Sequence, residues 1–194
     1  MGIGAAMNSA PRAVFLDRDG VLNRAIVRDG KPYPPTSLAE LEIVEGAAGS
    51  LWRLKTLGFL LLVVTNQPDV ARGTQTLEAI RTMHDRMRQS LPLDDFLICP
   101  HDDRDGCPCR KPLPGMMLDA QKRYGIDLAR SFLVGDRWRD IDAGRAAGCR
   151  TVYLDRSYRE REPSFPPDAR AGSLPDAVDW IMRNSEQDDY RGDR

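Results

Sequence analysis

Ala13-Val14-Phe15-Leu16-Asp17-Arg18-Asp19-Gly20-Val21-Leu22-Asn23 sets an unbroken apolar run directly against two aspartates that stand two positions apart. The run reads as a short strand buried on both faces, because its residues are continuously apolar rather than alternating. Two carboxylates at the end of such a strand are costly: burial disfavours each charge, and the two repel each other. A divalent cation with an anionic ligand offsets both costs. The competing reading is a solvated turn with two exposed aspartates. Gly20 permits the sharp departure of the chain that leaves both side chains at the sheet edge.

Outward from this stretch, similar runs recur at Leu60–Thr65, Phe96–Cys99, Phe132–Val134 and Thr151–Leu154. Helical periodicity lies between them, at about Ala47–Leu57, Thr76–Ser90, Gly115–Tyr124 and Asp140–Ala147. Gly58, Gly125 and Gly148 are suited to end three of these helices, and Thr74 or Thr76 to cap the start of another. The alternation predicts an α/β fold with a doubly wound parallel, Rossmann-like sheet. Tyr158–Pro167 reads as a surface loop before a last helix near Pro175–Met182. Residues 1–10 and 185–194 read as disordered segments. One domain remains over 11–184, with no stretch long enough for a large cap domain.

Composition narrows the class. The chain has 194 residues, 41% of them apolar, with 28 basic and 29 acidic side chains and a net charge of −1. Without a basic excess, nucleic acid is not the expected partner. The longest apolar run, Phe59–Val64, is far too short to span a bilayer, and Met1–Ala10 lacks the plan of a signal peptide. The cytoplasm is the expected location and a monomer the expected state.

Further polar signals sit at the same edge of the predicted sheet, where open parallel sheets bind ligands. Thr65, at a strand end, offers a hydroxyl to a phosphoryl oxygen, and Asn66 and Gln67 follow it as candidate substrate contacts. Lys111, in Cys109-Arg110-Lys111-Pro112, offers a fixed ammonium to negative charge on a ligand at this edge. Arg110 and Arg72 could clamp a second anionic group, although a solvent-facing arginine explains Arg110 equally well. Asp136, in Gly135-Asp136-Arg137-Trp138-Arg139-Asp140, completes a hard-oxygen magnesium site with the Asp17 carboxylate and the Asp19 carbonyl. Asp140 is either a support behind that site or a helix cap.

Cys99-Pro-His101 and Cys107-Pro-Cys109 carry separate chemistry. Three thiols and one imidazole within eleven residues make a complete tetrahedral zinc set, structural because no position is vacant. Such a site would order the polar loop Asp102–Gly106; the alternative is coincidence, with the cysteines in redox or core roles. Cys149 reads as a small core residue and His84 as a surface residue of an amphipathic helix.

Phe15-Leu-Asp17-Arg-Asp19-Gly-Val-Leu-Asn23, with Thr65, Arg110-Lys111-Pro112 and Gly135-Asp136, resembles the motif set of the haloacid dehalogenase (HAD) phosphohydrolases over roughly Arg12–Leu154. With the zinc loop at 99–109, the resemblance is to their compact branch without a large cap. It implies Asp17 as the nucleophile forming an aspartyl-phosphate, and Asp19 as general acid/base. It also implies Thr65 and Lys111 as phosphate holders, catalytic Mg2+ and structural Zn2+. The branch includes heptose 1,7-bisphosphate 7-phosphatases and histidinol-phosphate phosphatases. Pro68-Asp69 departs from the Ser-Gly usual after Asn-Gln in sugar-phosphate members, whereas Arg72-Gly73 returns to pattern. The five-residue gap between His101 and Cys107 resembles the histidinol type, while Gly144-Arg-Ala-Ala-Gly148 and the paired arginines favour the heptose bisphosphate. The expected partner is therefore a small phosphorylated sugar or polyol, the heptose ester first. A broader sugar-phosphate phosphatase and a non-catalytic zinc-stabilised binding module are the other readings.

Overall fold

The computed structural model describes the backbone of residues 10–191 and the side-chain surroundings of residues 10–185. Six strands form one parallel sheet: β1 (Ala13–Leu16), β4 (Leu60–Asn66), β5 (Asp95–Cys99), β6 (Phe132–Gly135), β7 (Arg150–Leu154) and β8 (Ala169–Ala171). Their order is β5-β4-β1-β6-β7-β8, so β1 lies mid-sheet and the strand order reverses there. β2 (Ile26–Arg28) and β3 (Lys31–Tyr33) form a separate antiparallel hairpin.

Alternation along each strand builds two cores. Val14, Leu16, Leu61, Val63, Phe132 and Val134 face one way, packing with Leu51 and Leu54 of α1 (Ala47–Thr56) and Val178 and Ile181 of α5 (Leu174–Arg191). Ala13, Phe15, Leu62, Val64 and Leu133 face the other way, toward α3 (Gly115–Tyr124) and α4 (Trp138–Ala147). α2 (Leu77–Ser90) follows β4, and the Thr76 hydroxyl caps it by accepting from the Ala79 N–H. The doubly wound parallel sheet without a large cap is thus the architecture observed. Among the described residues no helix is long and apolar enough to cross a membrane.

Three expectations need correction or limits. The hairpin went unread because its strands are three residues long and carry Arg28, Lys31 and Pro32. Asp29-Gly30, both at positive φ, is the turn that closes it. The segment 185–194 was expected to be disordered, yet α5 runs on to Arg191, since no Gly or Pro interrupts the sequence before Gly192. Of the N-terminal segment 1–10, all but Ala10 lies outside the described residues.

Candidate active site

β1 ends by delivering Asp17, and β6 by delivering Asp136 through Gly135. The first turn of α4 brings Asp140 beside them. Ligand oxygens of Asp17, Asp136 and Asp140 all lie within 4.8 Å of one another, and all three residues are buried. One cation faces them. Lys111, 2% exposed, donates from Nζ to Asp17 Oδ1 at 2.8 Å and to the Val64 carbonyl at 2.7 Å, and pairs with Asp140 Oδ1 at 2.5 Å. Asp140 Oδ2 also accepts from the Arg137 N–H at 3.0 Å, which places it in a capping box at the start of α4.

Three carboxylates against one ammonium leave the cluster short of positive charge. Burial, then Asp140, raises the Asp17 pKa from 3.8 to about 6 despite the opposing pull of Lys111. Burial, then Asp17 and Asp140, pushes Asp136 well above the usual carboxylate range. Burial opposes the Lys111 charge, but Asp140 and Asp17 outweigh it and hold the ammonium protonated. Both carboxylate oxygens of Asp136 are buried without a well-formed hydrogen bond among the described residues, and the nearby Tyr158 hydroxyl lowers its pKa only in part. Oxygen ligands in this state fit a hard divalent cation such as magnesium. The surroundings are closely fitted: a Cβ on Gly20 (φ 86°) would stand 1.7 Å from Asp136 Oδ2.

The side chain of Asp19 stands outside that cluster and is fixed from three sides. Its Oδ1 accepts from Arg18 Nε at 3.0 Å and Asn23 Nδ2 at 3.1 Å, and its Oδ2 from Gln67 Nε2 at 3.0 Å. Gln67 Nε2 also donates to Thr65 Oγ1 at 2.8 Å. Gln67, expected as a substrate contact, is therefore 1% exposed and committed to Asp19 and Thr65 instead of facing the cleft. Asn66 does border the cleft, but its amide makes a two-way bridge to the main chain of Lys111: Nδ2 donates to the carbonyl at 3.0 Å, and Oδ1 accepts the N–H at 3.1 Å. His84 is a second correction. It is buried, stacked on Phe96 with ring centroids 4.1 Å apart, and its Nε2 lies 3.3 Å from Arg18 Nη1. Burial, then the Arg18 guanidinium, holds its pKa down to about 3.

Above these groups lies a cleft of about 300 Å³. Its walls come from the β2–β3 hairpin, the Pro68–Arg72 turn, the cysteine loop and the start of α4. Arg72 and Arg110 both reach it, as expected. Arg72 Nε donates to Asp102 at 2.8 Å, and Arg110 Nε to Asp103 at 2.8 Å. Residues not anticipated also line it: Lys31 from the hairpin, Arg139, which donates to Asp103 at 3.1 Å, and Arg137, ion-paired with Glu160. Arg137 and Arg139 lie within the stretch that carries Asp136. An α-helix beginning there should bring them to the sheet edge.

The cysteine cluster forms as expected. Cys99 closes β5, and its Sγ lies 3.7 Å from His101 Nδ1 and 3.6 Å from Cys107 Sγ. Cys109 Sγ is 3.2, 3.4 and 3.4 Å from Cys99 Sγ, His101 Nδ1 and Cys107 Sγ. A tetrahedron of Zn–S bonds of about 2.3 Å has edges near 3.7 Å, so the four atoms fit a zinc ion after slight expansion. Burial and the adjacent sulfurs push the Cys109 thiol well up, a crowding that a bound cation relieves. Cys149 is buried in the core and lies outside this group of four, as expected for a core residue.

Comparison with known proteins agrees with this geometry. The HAD-hydrolase-like family model matches residues 108–177. A D-glycero-beta-D-manno-heptose-1,7-bisphosphate 7-phosphatase of Yersinia pestis is 34% identical in an alignment that covers 92% of this chain and 93% of that protein. Its counterpart in Escherichia coli is 35% identical over 89% of this chain and 88% of its own length. Among solved structures, the D,D-heptose bisphosphate phosphatase of B. bronchiseptica, complexed with magnesium and phosphate, aligns with a TM-score of 0.77 and 30% identity. The alignment covers 89% of this chain and 99% of that one. Sequence, sheet topology and the buried carboxylate cluster converge, and the chain belongs to the HAD-like hydrolases, in the family that contains the heptose bisphosphate 7-phosphatases.

Proposed function

We propose that the protein hydrolyses a phosphate monoester of a small phosphorylated sugar through an aspartyl-phosphate, removing the 7-phosphate of D-glycero-D-manno-heptose 1,7-bisphosphate. The observation that carries this is Asp17 at the floor of the cleft, held on Oδ1 by a buried lysine and clustered within 4.8 Å with the buried carboxylate of Asp136. Asp17 Oδ2 attacks phosphorus, and the bond to the sugar oxygen breaks. Asp19 gives that oxygen its proton, then takes one from the water that releases phosphate and restores Asp17. Thr65 and Lys111 bind the phosphoryl oxygens, while Gln67 and Asn66 orient them. Asp17 and Asp136, with the Asp19 carbonyl, would hold a magnesium ion that screens the phosphate charge. Cys99, His101, Cys107 and Cys109 would hold zinc that shapes the cleft wall.

Two things support the bisphosphate over histidinol phosphate. The named relatives act on the heptose ester. In addition, Asp102 and Asp103, which could have received an amine, are already engaged by Arg72, Arg110 and Arg139. Magnesium-dependent phosphate release should be measured on heptose 1,7-bisphosphate, in both anomers, and on histidinol phosphate. A tenfold preference in kcat/KM, about 1.4 kcal/mol, decides the substrate. Asp17→Asn should abolish release from either. A wild-type protein inert toward all small phosphate monoesters would refute the enzyme reading.

A further inference from the structure

Arg18 alternates away from Asp17 and Asp19, so its side chain points beneath the site rather than into it. It is 0% exposed, an unusual place for a guanidinium, and its Nη2 has no partner among the described residues. What it does reach is informative. Nε donates to Asp19 Oδ1 at 3.0 Å, and Nη1 lies 3.3 Å from His84 Nε2. A guanidinium has no acceptor, so His84 Nε2 must carry the lone pair and accept. The imidazole is itself clamped, stacked at 19° on Phe96 of β5 and carried by the buried face of α2.

We propose that Arg18 and His84 form a buried positioning relay for Asp19, in which the neutral imidazole of His84 fixes the Arg18 fork and that fork fixes the proton-donating carboxylate. Asn23 and Gln67 complete the hold, but neither sets the direction of Oδ1 alone. Asn23 shares that oxygen with Arg18, and Gln67 bonds the other one. His84 touches no substrate. It governs the acid from the far side of the strand, through a rigid planar cation that a lysine cannot replace.

This rests on the assignment of Asp19 as the proton donor to the leaving oxygen, and the test separates the two claims. A sugar alkoxide needs that proton, whereas nitrophenolate leaves readily without it. kcat/KM reports only steps up to aspartyl-phosphate formation, so the comparison isolates the donor. Wild type, Asp19→Asn, His84→Leu and His84→Gln are compared at one pH, with saturating magnesium, on p-nitrophenyl phosphate and on the best alkyl phosphate of the wild type. His84→Leu should lose about tenfold in kcat/KM on the alkyl ester and at most about twofold on the aryl ester. His84→Gln, which keeps an acceptor toward Arg18, should recover most of the loss. Arg18→Lys keeps the buried charge but not the fork, and should show the same selective loss; it serves if His84→Leu does not fold. Equal losses on both esters, or none on either, in His84→Leu and Arg18→Lys overturn the relay. An Asp19→Asn variant without the leaving-group dependence instead overturns the role of Asp19 itself.

Discussion

Replacing Asp136 by Asn should stabilise the metal-free protein while abolishing its response to magnesium. The residue is 0% exposed, neither oxygen has a well-formed hydrogen bond among the described residues, and it shares a 4.8 Å cluster with Asp17 and Asp140. Burial, then repulsion by Asp17 and Asp140, pushes its own pKa well above the usual carboxylate range, and in the same cluster burial, then Asp140, raises Asp17 from 3.8 to about 6. A raised carboxylate pKa means the native state binds a proton that the unfolded chain has released. The resulting stability is complete below pH 3.8 and is lost as pH rises through about 6. For Asp17 alone, the rise from 3.8 to about 6 corresponds to about 3 kcal/mol missing at neutral pH. Asparagine removes from Asp136 a charge that burial, Asp17 and Asp140 all disfavour, so a gain of about 2 kcal/mol is expected in EDTA at pH 7.5. For a chain of this length that is about 4–8 °C in Tm. Thermal unfolding followed by circular dichroism, in EDTA and in magnesium, reads both effects. Wild type should gain about 2.7 kcal/mol at a magnesium concentration of 100 Kd, and the variant almost nothing. The stability difference in EDTA should also narrow as pH is lowered from 7.5 to 5. A variant that melts below wild type in EDTA, or that gains as much from magnesium, would refute the charge-crowding account.

The remaining expectations follow from single contacts. Gly20→Ala meets both a positive φ of 86° and Asp136 Oδ2 at 1.7 Å, whereas Gly148→Ala has a like φ of 87° and open space. Chemical denaturation should show about 1 kcal/mol lost at Gly148 and distinctly more at Gly20, with phosphatase activity lost only at Gly20. Lys111→Met leaves Asp17 and Asp140 facing each other unpaired, and should cost about 3–5 kcal/mol at neutral pH, less in acid, as well as activity. Metal analysis should find about one zinc per chain. Cys107→Ser should lower both zinc content and Tm, while Cys149→Ser, outside the ligand group, should leave zinc content as it is; equal zinc in both variants would exclude the four-ligand site.

Much of this was legible because burial leaves few options. Continuous apolar runs of only a few residues are too short for buried helices and read as two-sided strands, and β1, β4, β5, β6 and β7 appear within two residues of where the sequence puts them. The carboxylates and the Cys/His set were legible because their chemistry is expensive unless shared. Gln67 was not, since a buried amide announces itself only through partners distant in sequence. His84 could have been placed. Ile80, Met83, His84 and Met87 follow the spacing of one helical stripe and are the buried residues of α2, so phase rather than residue type marked it as interior. Asp29-Gly30 was likewise a hairpin signal, overshadowed by strands too short and too charged to attract notice.

The mid-sheet position of β1 has a consequence for the life of the chain before it is finished. Its neighbours are β4 on one side and β6 on the other, and β6 begins at Phe132, more than a hundred residues after Leu16. At a synthesis rate of about 5–20 residues per second, Ala13–Leu16 is made roughly 6–23 seconds before its second partner exists. During that interval an entirely apolar strand has an open edge, the condition under which nascent chains aggregate or engage chaperones. Asp136 arrives only with β6. The growing chain therefore meets its first opportunity to bind the catalytic metal at the moment its most vulnerable edge closes, and metal supply during synthesis bears on yield as well as on activity.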